Sequence, residues 1–326
     1  MKVLLTGSSG FVGSHILDRL VARGVSTTVL LRPASDRTFL RTHLPGLEIR
    51  PGYINEPESL RRAMDGVTHI IHCAGCTRAS RVSEFYDTNH LGTRNVVEAV
   101  NTLGARVERL VHVSSLAVAG PATASQPARE EDPPRPVSEY GKSKLAAEHE
   151  VRSRCHVPYT ILRPPAVYGP RDSGFLPMFK AVKRHVQPRP SHRQALSLVY
   201  VQDLAEAVVK CLNHPTAAGK TYFVASGELT TGGRMAEEIA AQLGVWTFPC
   251  PLPPAFLWPL CLAQEILSRV TGKPGLLNLQ KFAELKAPGW VCDASRLERE
   301  LGHTCGTTLR QGIAESLRWY LAQGWL

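Results

Sequence analysis

Short apolar runs alternate with amphipathic stretches through the first half of the chain. The apolar runs occupy residues 3–5, 28–31, 69–72 and 110–113, and the amphipathic stretches occupy residues 11–23, 58–64, 93–102 and 139–154. Strands and helices that alternate in this way predict a parallel sheet wrapped by helices. Because the run at 110–113 has no polar alternation, it is typical of a strand that is buried on both faces. The predicted fold class is therefore α/β, with a doubly wound parallel sheet.

The second half of the chain is less regular. Residues 159–161 indicate a further strand, after which prolines and glycines interrupt the pattern until a strand and a helix are indicated at 198–201 and 203–212. Residues 121–136 are rich in proline and small polar residues, which predicts a loop. We therefore expect a first domain at residues 1–165, to which residues 198–213 return, and a smaller, discontinuous second domain formed mainly by residues 166–326.

Composition and charge exclude several classes of protein. The 326 residues are 43% apolar and 20% charged, as in ordinary globular proteins, and their formal net charge is +10. The basic residues are dispersed except at 183–193, and they lack the interleaved aromatic residues of a base-stacking groove, so we expect no nucleic-acid partner. The 183–193 segment is interpreted as a solvated loop, while binding of an anionic substrate group or peripheral contact with a membrane stays open.

The sequence contains neither a long apolar segment nor a pattern of metal ligands. The apolar run at 248–262 is broken by repeated prolines, which excludes a spanning helix there. We therefore expect no transmembrane segment and a cytoplasmic location. Among the eight cysteines the one close pair, Cys73 and Cys76, has no second pair and no histidine partners, so we expect reduced thiols and no metal.

A glycine-rich segment lies between the first predicted strand and the first predicted helix. It reads Gly7-Ser8-Ser9-Gly10-Phe11-Val12-Gly13. Glycines at such a turn let backbone N–H groups and the positive end of the helix approach a pyrophosphate, and Gly13 permits close packing of the helix on the sheet. A simple tight turn is the alternative, but the strand before it and the helix after it favour a bound dinucleotide.

The end of the second predicted strand bears on the choice of dinucleotide. A carboxylate at this place bonds the ribose hydroxyls of NAD, whereas a cation accommodates the additional phosphate of NADP. The residue here is Arg32, and Arg37 follows five positions later. Guanidinium groups suit phosphate oxygens, so we expect NADP as the preferred cofactor, with NAD possible. The alternative is that both arginines are solvated loop charges.

Tyr140 and Lys144 differ by four positions in a predicted helix, which places both side chains on one face. A lysine ammonium beside a phenol favours the phenolate, and an oxidised nicotinamide adds a second positive charge. The pair therefore predicts an acid/base that exchanges a proton while hydride is transferred. Ser114 and Ser115 follow the strand at 110–113, at the edge of the sheet where ligand sites form, and we expect one of them to hydrogen-bond the reacting oxygen.

Taken in order, the motifs resemble the extended short-chain dehydrogenase/reductase family, also called the NAD-dependent epimerase/dehydratase family. The matching segments are VLLTGSSGFVG, IIHCAG, DTNHLGTRNVVEA, VHVSSLAVAG, YGKSK, LRPPAVYGP and SLVYVQDLAEA, and they span nearly all of the chain. The resemblance implies a Rossmann fold whose first domain binds the dinucleotide and whose second domain binds the substrate.

The resemblance also assigns roles by position. It implies Ser115 as the catalytic serine, Tyr140 as the acid/base, and Lys144 as its activator and as a partner of the cofactor ribose. Asn89 is expected to support the site structurally. The predicted cofactor-binding residues are Gly7, Gly10, Phe11, Val12, Gly13, Arg32, Arg37, Ala74, Gly75, Ser114, Tyr140 and Lys144.

The family tends to form homodimers through two helices per subunit, which correspond here to the helices containing Asn95 and Ala147. Two departures from the family pattern stand out. Tyr53 follows Gly52 where the family usually has an aspartate beside the adenine, so adenine contacts are expected to differ. Ala119 occupies a position where many sugar-modifying members have a tyrosine, which disfavours a nucleotide-sugar substrate.

The C-terminal stretch GWVCDASRLERELGHTCGTTLRQGIAESLRWYLAQGWL looks like the 3β-hydroxysteroid dehydrogenase and dihydroflavonol reductase branch. Lipophilic alcohols or ketones are implied as substrates. An apolar wall for such a ring system is expected from five residues, whose alternative role is helix packing: Phe256, Leu257, Trp258, Leu260 and Leu262.

The resulting prediction is an NAD(P)-dependent oxidoreductase that interconverts a secondary alcohol and a ketone on a sterol-like or flavonoid-like substrate. One alternative is a nucleotide-sugar epimerase or dehydratase, in which Arg184, Arg189 and Arg193 hold a diphosphate. A second alternative, of another class, is a regulator that senses the dinucleotide without turnover. The presence of Ser115, Tyr140 and Lys144 disfavours that second alternative.

Overall fold

The chain folds into strands and helices that follow most of the predicted pattern. The structure is a computed structural model that describes residues 1–190, 194–252, 254–271, 275 and 279–326. The strands are β1 (Lys2–Thr6), β2 (Ser26–Leu31), β3 (Glu48–Pro51), β4 (His69–His72), β5 (Arg109–Val113), β6 (Tyr159–Arg163), β7 (Ala166–Tyr168), β8 (Val186–Pro190), β9 (Ala195–Leu196), β10 (Leu198–Tyr200), β11 (Lys220–Phe223), β12 (Phe248–Leu252) and β13 (Gly289–Trp290).

The helices surround these strands. They are α1 (Phe11–Ala22), α2 (Pro57–Ala63), α3 (Val82–Phe85), α4 (Gly92–Leu103), α5 (Glu139–Arg154), α6 (Leu176–Lys183), α7 (Val201–Asn213), α8 (Gly232–Leu243), α9 (Pro254–Thr271), α10 (Leu279–Lys286), α11 (Ser295–Leu301) and α12 (Leu309–Ala322). A π-helical turn at Tyr86–Leu91 joins α3 to α4.

The central sheet has seven strands in the order β11-β6-β5-β4-β1-β2-β3. Every neighbouring pair of strands in it is parallel. The predicted doubly wound parallel sheet is therefore confirmed. The sequence prediction did not include β3 and β11, which are the two edge strands of the sheet.

Apolar side chains on both faces of the sheet form two separate cores. Successive side chains of a strand point to opposite faces, and accordingly Leu4 of β1 packs in one core and Leu5 in the other. The core containing Leu5 lies against α1 and α7, whereas that containing Leu4 lies against α2, α4 and α5. This two-sided burial explains why the central strands lack a polar alternation.

The C-terminal half has a core of its own. Tyr168, Phe179, Ile239, Ile313 and Tyr320 pack together and join β7 to α6, α8 and α12. Strand β10 pairs with β7, while α7 returns to the main sheet, where Arg19 of α1 donates to Gln202 at 3.1 Å. The domain boundary at residue 165 stays a prediction, since β11 rejoins the sheet well beyond it.

The predicted loop at 121–136 is irregular and is attached to the C-terminal half. The Ala122 N–H donates to the Gly289 carbonyl at 3.1 Å, and the Ala128 N–H donates to the Val291 carbonyl at 2.9 Å. These bonds hold the segment around β13 close to the loop that follows β5. Across the residues that the structure describes, the helices are too short or too polar for any of them to cross a membrane.

A buried ion pair connects β5, α5 and β6 below the site edge of the sheet. Glu148 of α5 accepts two hydrogen bonds from the Arg163 guanidinium, at 2.8 and 2.7 Å, and one from the Ser114 hydroxyl at 2.6 Å. Burial raises the pKa of Glu148, but the hydrogen bonds and charge of Arg163 outweigh it and hold the pKa below its usual range. The carboxylate and guanidinium therefore stabilise each other in a dry environment.

Glu148→Gln tests this pair. Removing one partner leaves the Arg163 charge buried without compensation, so we expect the free energy of unfolding to fall by about 3–5 kcal/mol. Urea denaturation followed by circular dichroism measures the change. The matched control is Glu58→Gln, which removes an exposed partner of Arg61 and is expected to cost at most about 1 kcal/mol. Equal losses in the two variants would contradict a structural role for the buried pair.

Candidate active site

The glycine turn between β1 and α1 has no room for side chains at two of its glycines. Gly7 has φ +77°, and a Cβ there would lie 2.6 Å from the Ala74 nitrogen. A Cβ at Gly13 would lie 2.1 Å from the Gly7 carbonyl oxygen. The turn is closed by a 3.0 Å hydrogen bond from the Gly10 N–H to that same carbonyl. The β4 end, the turn and α1 are therefore packed backbone against backbone.

This turn fits a dinucleotide pyrophosphate. Gly10 is the N-cap of α1 and makes no side-chain capping bond, and the first turn of the helix has no acidic residue. The first N–H groups of a helix lack partners within it, so those of Phe11 and Val12 are available to phosphate oxygens, and the helix dipole favours the negative charge. A side chain at Gly7 or Gly13 would fill the cradle.

The segment after β4 lies against the turn and against Lys144. The Ala74 N–H donates to the Thr6 hydroxyl at 3.2 Å. A Cβ at Gly75 would lie 3.2 Å from Asn89 Oδ1 and 3.9 Å from Lys144 Nζ. The two residues predicted to border the ribose thus lie between the glycine turn and the lysine.

Asn89 ties this segment to α5. Its Oδ1 accepts from the Cys76 N–H at 2.8 Å, and its Nδ2 donates to the Cys76 carbonyl and to the Ser143 hydroxyl, each at 2.9 Å. Asn89 lies in the π-helical turn at Tyr86–Leu91, a geometry that is frequent at functional sites. Since Ser143 precedes Lys144, these bonds fix the lysine relative to the segment after β4.

Helix α5 delivers Tyr140 and Lys144 to the carboxyl edge of the sheet. Its N-cap is Ser138, whose hydroxyl accepts from the Gly141 N–H at 3.2 Å. A Cβ at Gly141 would lie 2.6 Å from the Ala117 carbonyl oxygen, so this glycine lets the helix approach the loop after β5. Tyr140 is half-buried and contacts the Phe85 ring, with 6.1 Å between ring centroids.

Ser115, Tyr140 and Lys144 lie around the end of β5 and the start of α5. The Ser115 hydroxyl hydrogen-bonds the Tyr140 phenol and also accepts from the Ala117 N–H at 3.1 Å. The Lys144 ammonium is buried and donates to the Val113 carbonyl at 2.7 Å. Tyr140 lies one helical turn before Lys144, on the same face of α5.

The electrostatics of the site keep the phenol protonated. Burial raises the pKa of Tyr140 to about 12, opposed by the hydrogen bond from Ser115 and reinforced by Glu284 and by the thiols of Cys76 and Cys73. Burial also lowers the pKa of Lys144 to about 8, partly offset by Cys73 and Glu148. At neutral pH the site therefore contains a protonated phenol and, one helical turn further along α5, a largely charged ammonium. Positive charge brought by a ligand favours the phenolate.

Ser114 is oriented differently from Ser115. Its hydroxyl donates to Glu148 in the interior, and its N–H donates to the Leu162 carbonyl at 2.7 Å. Its predicted contact with the cofactor therefore falls to its carbonyl group. The Ser115 hydroxyl, in contrast, is on the Tyr140 side.

The two predicted phosphate-binding arginines are exposed. Arg32 follows β2 directly, and its charge reaches the Cys76 thiol, so it lies at the same edge of the sheet as the segment after β4. Arg37 starts a short 3₁₀ turn at Thr38–Leu40. Neither placement by itself decides between NAD and NADP.

The structure describes only part of the predicted substrate wall. Trp258 and Leu260 of α9 are exposed, and Leu262 is half-buried. Arg184 is exposed at the end of α6. Arg193 and the side chains of Arg189, Phe256 and Leu257 lie outside the described residues.

Glu284 was not found from the sequence. It belongs to α10, and its charge acts on the Tyr140 phenol. Its backbone carbonyl accepts hydrogen bonds from the Trp290 indole N–H and the Gln194 side-chain amide, each at 3.0 Å. No motif marks this residue, because only the packing of the C-terminal half brings α10 to the site.

Comparison with known proteins decides the family. A profile of the NAD dependent epimerase/dehydratase family matches residues 3–225, which include the glycine turn, Ser115, Tyr140 and Lys144. The chain belongs to this family. Members of this family are NAD-dependent oxidoreductases or epimerases, so this protein is a nicotinamide-dependent enzyme. The resemblance seen in the sequence is therefore confirmed.

The similarity to known members of the family extends over nearly the whole length of this chain. It is 28% identical to a ceramide reductase of Caulobacter vibrioides, covering 99% of this chain and 96% of that protein. It is 30% identical to the 4-hydroxy-2-methyl-3-oxo-4-farnesyl-3,4-dihydroquinoline-1-oxide ketoreductase of Stigmatella aurantiaca, covering 96% and 95%. The solved UDP-glucose 4-epimerase of Thermus thermophilus, in complex with NAD, has a TM-score of 0.78 at 26% identity, covering 98% of this chain and 99% of that one.

Gly7→Ala tests the close approach of the turn to β4. The matched control is Gly66→Ala, since Gly66 has a similar φ of +70° but nothing within 4 Å of its added Cβ. We expect the control to cost about 1–2 kcal/mol of unfolding free energy from backbone strain alone, and Gly7→Ala to cost more. NADH affinity, followed by fluorescence titration, is expected to fall about tenfold or more in Gly7→Ala only. Unchanged affinity in Gly7→Ala would contradict the cradle.

Proposed function

We propose that this enzyme is an NAD(P)-dependent reductase that interconverts a ketone and a secondary alcohol on a lipophilic, sterol-like or flavonoid-like substrate. The observation that supports it most is the Tyr140 phenol, hydrogen-bonded to the Ser115 hydroxyl, one helical turn from the buried Lys144 ammonium. This arrangement offers a proton and a hydrogen bond to one substrate oxygen, which is what carbonyl reduction requires.

Each residue has a distinct part in the proposed reaction. A dinucleotide held at the glycine turn would supply hydride chemistry, as the donor in reduction and the acceptor in oxidation. Ser115 donates a hydrogen bond that orients the substrate oxygen, and Tyr140 gives that oxygen its proton. Lys144 stabilises the negative charge that remains on the phenolate. The predicted ribose contacts of Lys144, Ala74 and Gly75 are part of the same proposal.

Reductases among the relatives support a lipophilic substrate. One of them is a ceramide reductase and another acts on a farnesyl-bearing dihydroquinoline oxide, according to their names. Ala119 in place of a tyrosine points the same way. The likeness to the 3β-hydroxysteroid dehydrogenase and dihydroflavonol reductase branch belongs to this proposal.

The second candidate function is nucleotide-sugar epimerisation or dehydration. It is favoured by the overall likeness to UDP-glucose 4-epimerase at 26% identity. It needs cations for a diphosphate, for which Arg184 is a described candidate. A regulator that senses the dinucleotide without turnover is disfavoured, because such a role does not require Ser115, Tyr140 and Lys144 to be present.

Dimerisation through α4 and α5 remains a prediction. Asn95 and Ala147 are themselves buried within the subunit, where the Asn95 amide donates to the Ile54 carbonyl at 3.1 Å. A homodimer formed by these two helices therefore has to use their outward residues, such as Glu98 of α4 and His149 of α5, which are exposed.

We also propose a preference for NADP, and Arg32→Asp tests it. An aspartate at the end of β2 repels the additional phosphate and accepts hydrogen bonds from the ribose hydroxyls. We expect the ratio of NADPH to NADH affinity to fall about tenfold or more, measured by fluorescence titration of both cofactors. The control is Arg41→Asp, which makes the same change in net charge at an exposed residue nine positions after Arg32. An unchanged ratio in Arg32→Asp would mean that the arginine is only a solvated charge.

A substrate panel tests the reaction itself. Steroid ketones, dihydroflavonols, long-chain keto lipids and nucleotide sugars are each supplied with NADPH and NADH, and absorbance at the nicotinamide band is followed. We expect oxidation of the reduced cofactor with at least one lipophilic ketone. Epimerisation of a nucleotide sugar, detected by chromatography, with no ketone reduced would instead establish the second candidate.

Tyr140→Phe then tests the assignment of the proton donor. Loss of a general acid reduces turnover by about 100-fold or more. Loss of the predicted hydrogen bond of Tyr140 to the cofactor is expected to reduce cofactor affinity by about tenfold at most. Tyr222→Phe is the control, because Tyr222 lies on the edge strand β11 and its hydroxyl donates to Glu300 of α11. Full activity in Tyr140→Phe would overturn the proposed role.

A further inference from the structure

Helix α9 presents its apolar side to the outside. Trp258, Leu260, Ile266 and Leu267 are 48%, 46%, 56% and 60% exposed, and Ala263 between them is exposed as well. Apart from Trp258, these positions recur at intervals of three and four, so they lie on one side of the helix. We call Leu260, Ala263, Ile266 and Leu267 the apolar face, and Trp258 is exposed on another side of the helix, near its start.

Among the described side chains of residues 258–268, the inward side of α9 is the more polar one, although it also includes the half-buried Leu262. Cys261 and Ser268 are buried, and Gln264 and Glu265 are half-buried and have partners. A helix on the surface of a water-soluble protein normally has the opposite arrangement, with charged residues outside. In α9 the arrangement is reversed, with the apolar side facing outward and the more polar side facing the protein.

An aromatic and basic cluster precedes α9 in the chain. Trp246 and Phe248 are 71% and 69% exposed. His185 stacks on Trp246 with 4.5 Å between ring centroids, and its carbonyl accepts from the Phe248 N–H at 2.8 Å. Lys183 and Arg184, both exposed, come directly before His185. Tryptophan, phenylalanine and cations grouped in this way are typical of proteins that lie at a membrane interface.

The cluster and the apolar face belong to one region of the surface. Strand β12, which begins with Phe248, pairs in parallel with β8 directly after the basic residues, and Val186 opposite Phe248 is 41% exposed. Strand β12 ends at Leu252 and α9 begins at Pro254, so the two elements are at most about 7 Å apart at their junction. One acidic side chain, Glu237, lies near β8, where it accepts from Gln187 at 3.5 Å.

We propose that the apolar face of α9 and the cluster of Lys183, Arg184, His185, Trp246 and Phe248 dock this enzyme onto the surface of an anionic phospholipid membrane. The apolar side chains would enter the boundary between headgroups and acyl chains, and the cations would contact lipid phosphates. A net charge of +10 favours an anionic surface over a neutral one. The proposed occupant is therefore a lipid bilayer, not a second copy of the chain.

The docking surface is connected to the active site through α10. Helix α10 packs against α9, and its Glu284 acts on the Tyr140 phenol. Docking through α9 therefore places a helix that packs against α10 at the bilayer surface. The inference does not rest on the proposed reaction, because binding to vesicles is measured without substrate.

Vesicle binding by the full chain is the direct test. The protein is mixed with vesicles of phosphatidylcholine alone or of phosphatidylcholine with phosphatidylglycerol, and bound protein is measured by sedimentation. We expect binding to the anionic vesicles that is at least about tenfold stronger than to the neutral ones and that weakens with salt. Lipids brominated in the upper acyl chain are expected to quench tryptophan fluorescence, since Trp246 enters the interface.

Paired variants locate the surface. We expect Ile266→Glu with Leu267→Glu to reduce binding at least about tenfold, whereas Leu321→Glu, at a residue of α12 that is 51% exposed, leaves it unchanged. Lys183→Glu with Arg184→Glu is expected to reduce binding to anionic vesicles by a similar factor. Arg61→Glu with Arg62→Glu on α2 is the matched charge control. Thermal unfolding of each variant verifies that it is folded.

Several results would overturn the proposal. One is the absence of both sedimentation and quenching with the unmodified protein. Another is an equal loss of binding in the control variants. A third is a change of molecular mass in solution for Ile266→Glu with Leu267→Glu while vesicle binding persists, which would make α9 a contact between copies of the chain. Each preparation is also assayed for reduction of a soluble ketone. A preparation that reduces the ketone but does not bind vesicles shows that the docking proposal has failed while the proposed reaction stands, and the reverse result shows the opposite.

Discussion

The buried ammonium of Lys144 is the group on which the account of this enzyme depends. A lysine in a dry site is costly unless it is hydrogen-bonded, and here the Val113 carbonyl at the end of β5 accepts from it at 2.7 Å. That bond is available only because α5 crosses the carboxyl ends of β5 and β4 at close range. Burial lowers the pKa of Lys144 and raises that of Tyr140, so the site holds its proton on the phenol until positive charge arrives.

Close backbone contacts make this position possible. Gly141 lets α5 approach the loop after β5, and Gly7 lets the turn after β1 approach the segment after β4. Asn89 then joins that segment to α5 through Cys76 and Ser143. The dinucleotide cradle and the proton donor are thus parts of one rigid arrangement, and the ion pair of Glu148 with Arg163 stabilises it from below.

The sequence was sufficient for the parts of the structure that depend on local pattern. Strands buried on both faces are mainly apolar, although β4 and β5 also bury His69, His72 and His112. Residues four apart on a helix share a face. The central strands and the pairing of Tyr140 with Lys144 were therefore predictable. Strand β3 was not, because this edge strand is half-exposed and contains Glu48 and Arg50. The inward turn of the Ser114 hydroxyl and the approach of Glu284 depend on tertiary packing, for which no local pattern exists. The outward position of the apolar side of α9 was not predictable either, because the sequence does not show which side of the helix packs against the protein.

The most direct test of the central claim is a spectroscopic titration of Tyr140. Ultraviolet absorbance of the phenolate is recorded against pH for the unmodified enzyme and for Tyr140→Phe, with and without the oxidised dinucleotide, and the spectra are subtracted. The account predicts a single phenol with a pKa of about 12 in the free enzyme, falling to a markedly lower pKa when the positively charged nicotinamide is bound beside Lys144. A pKa that does not change on binding of the dinucleotide would contradict it.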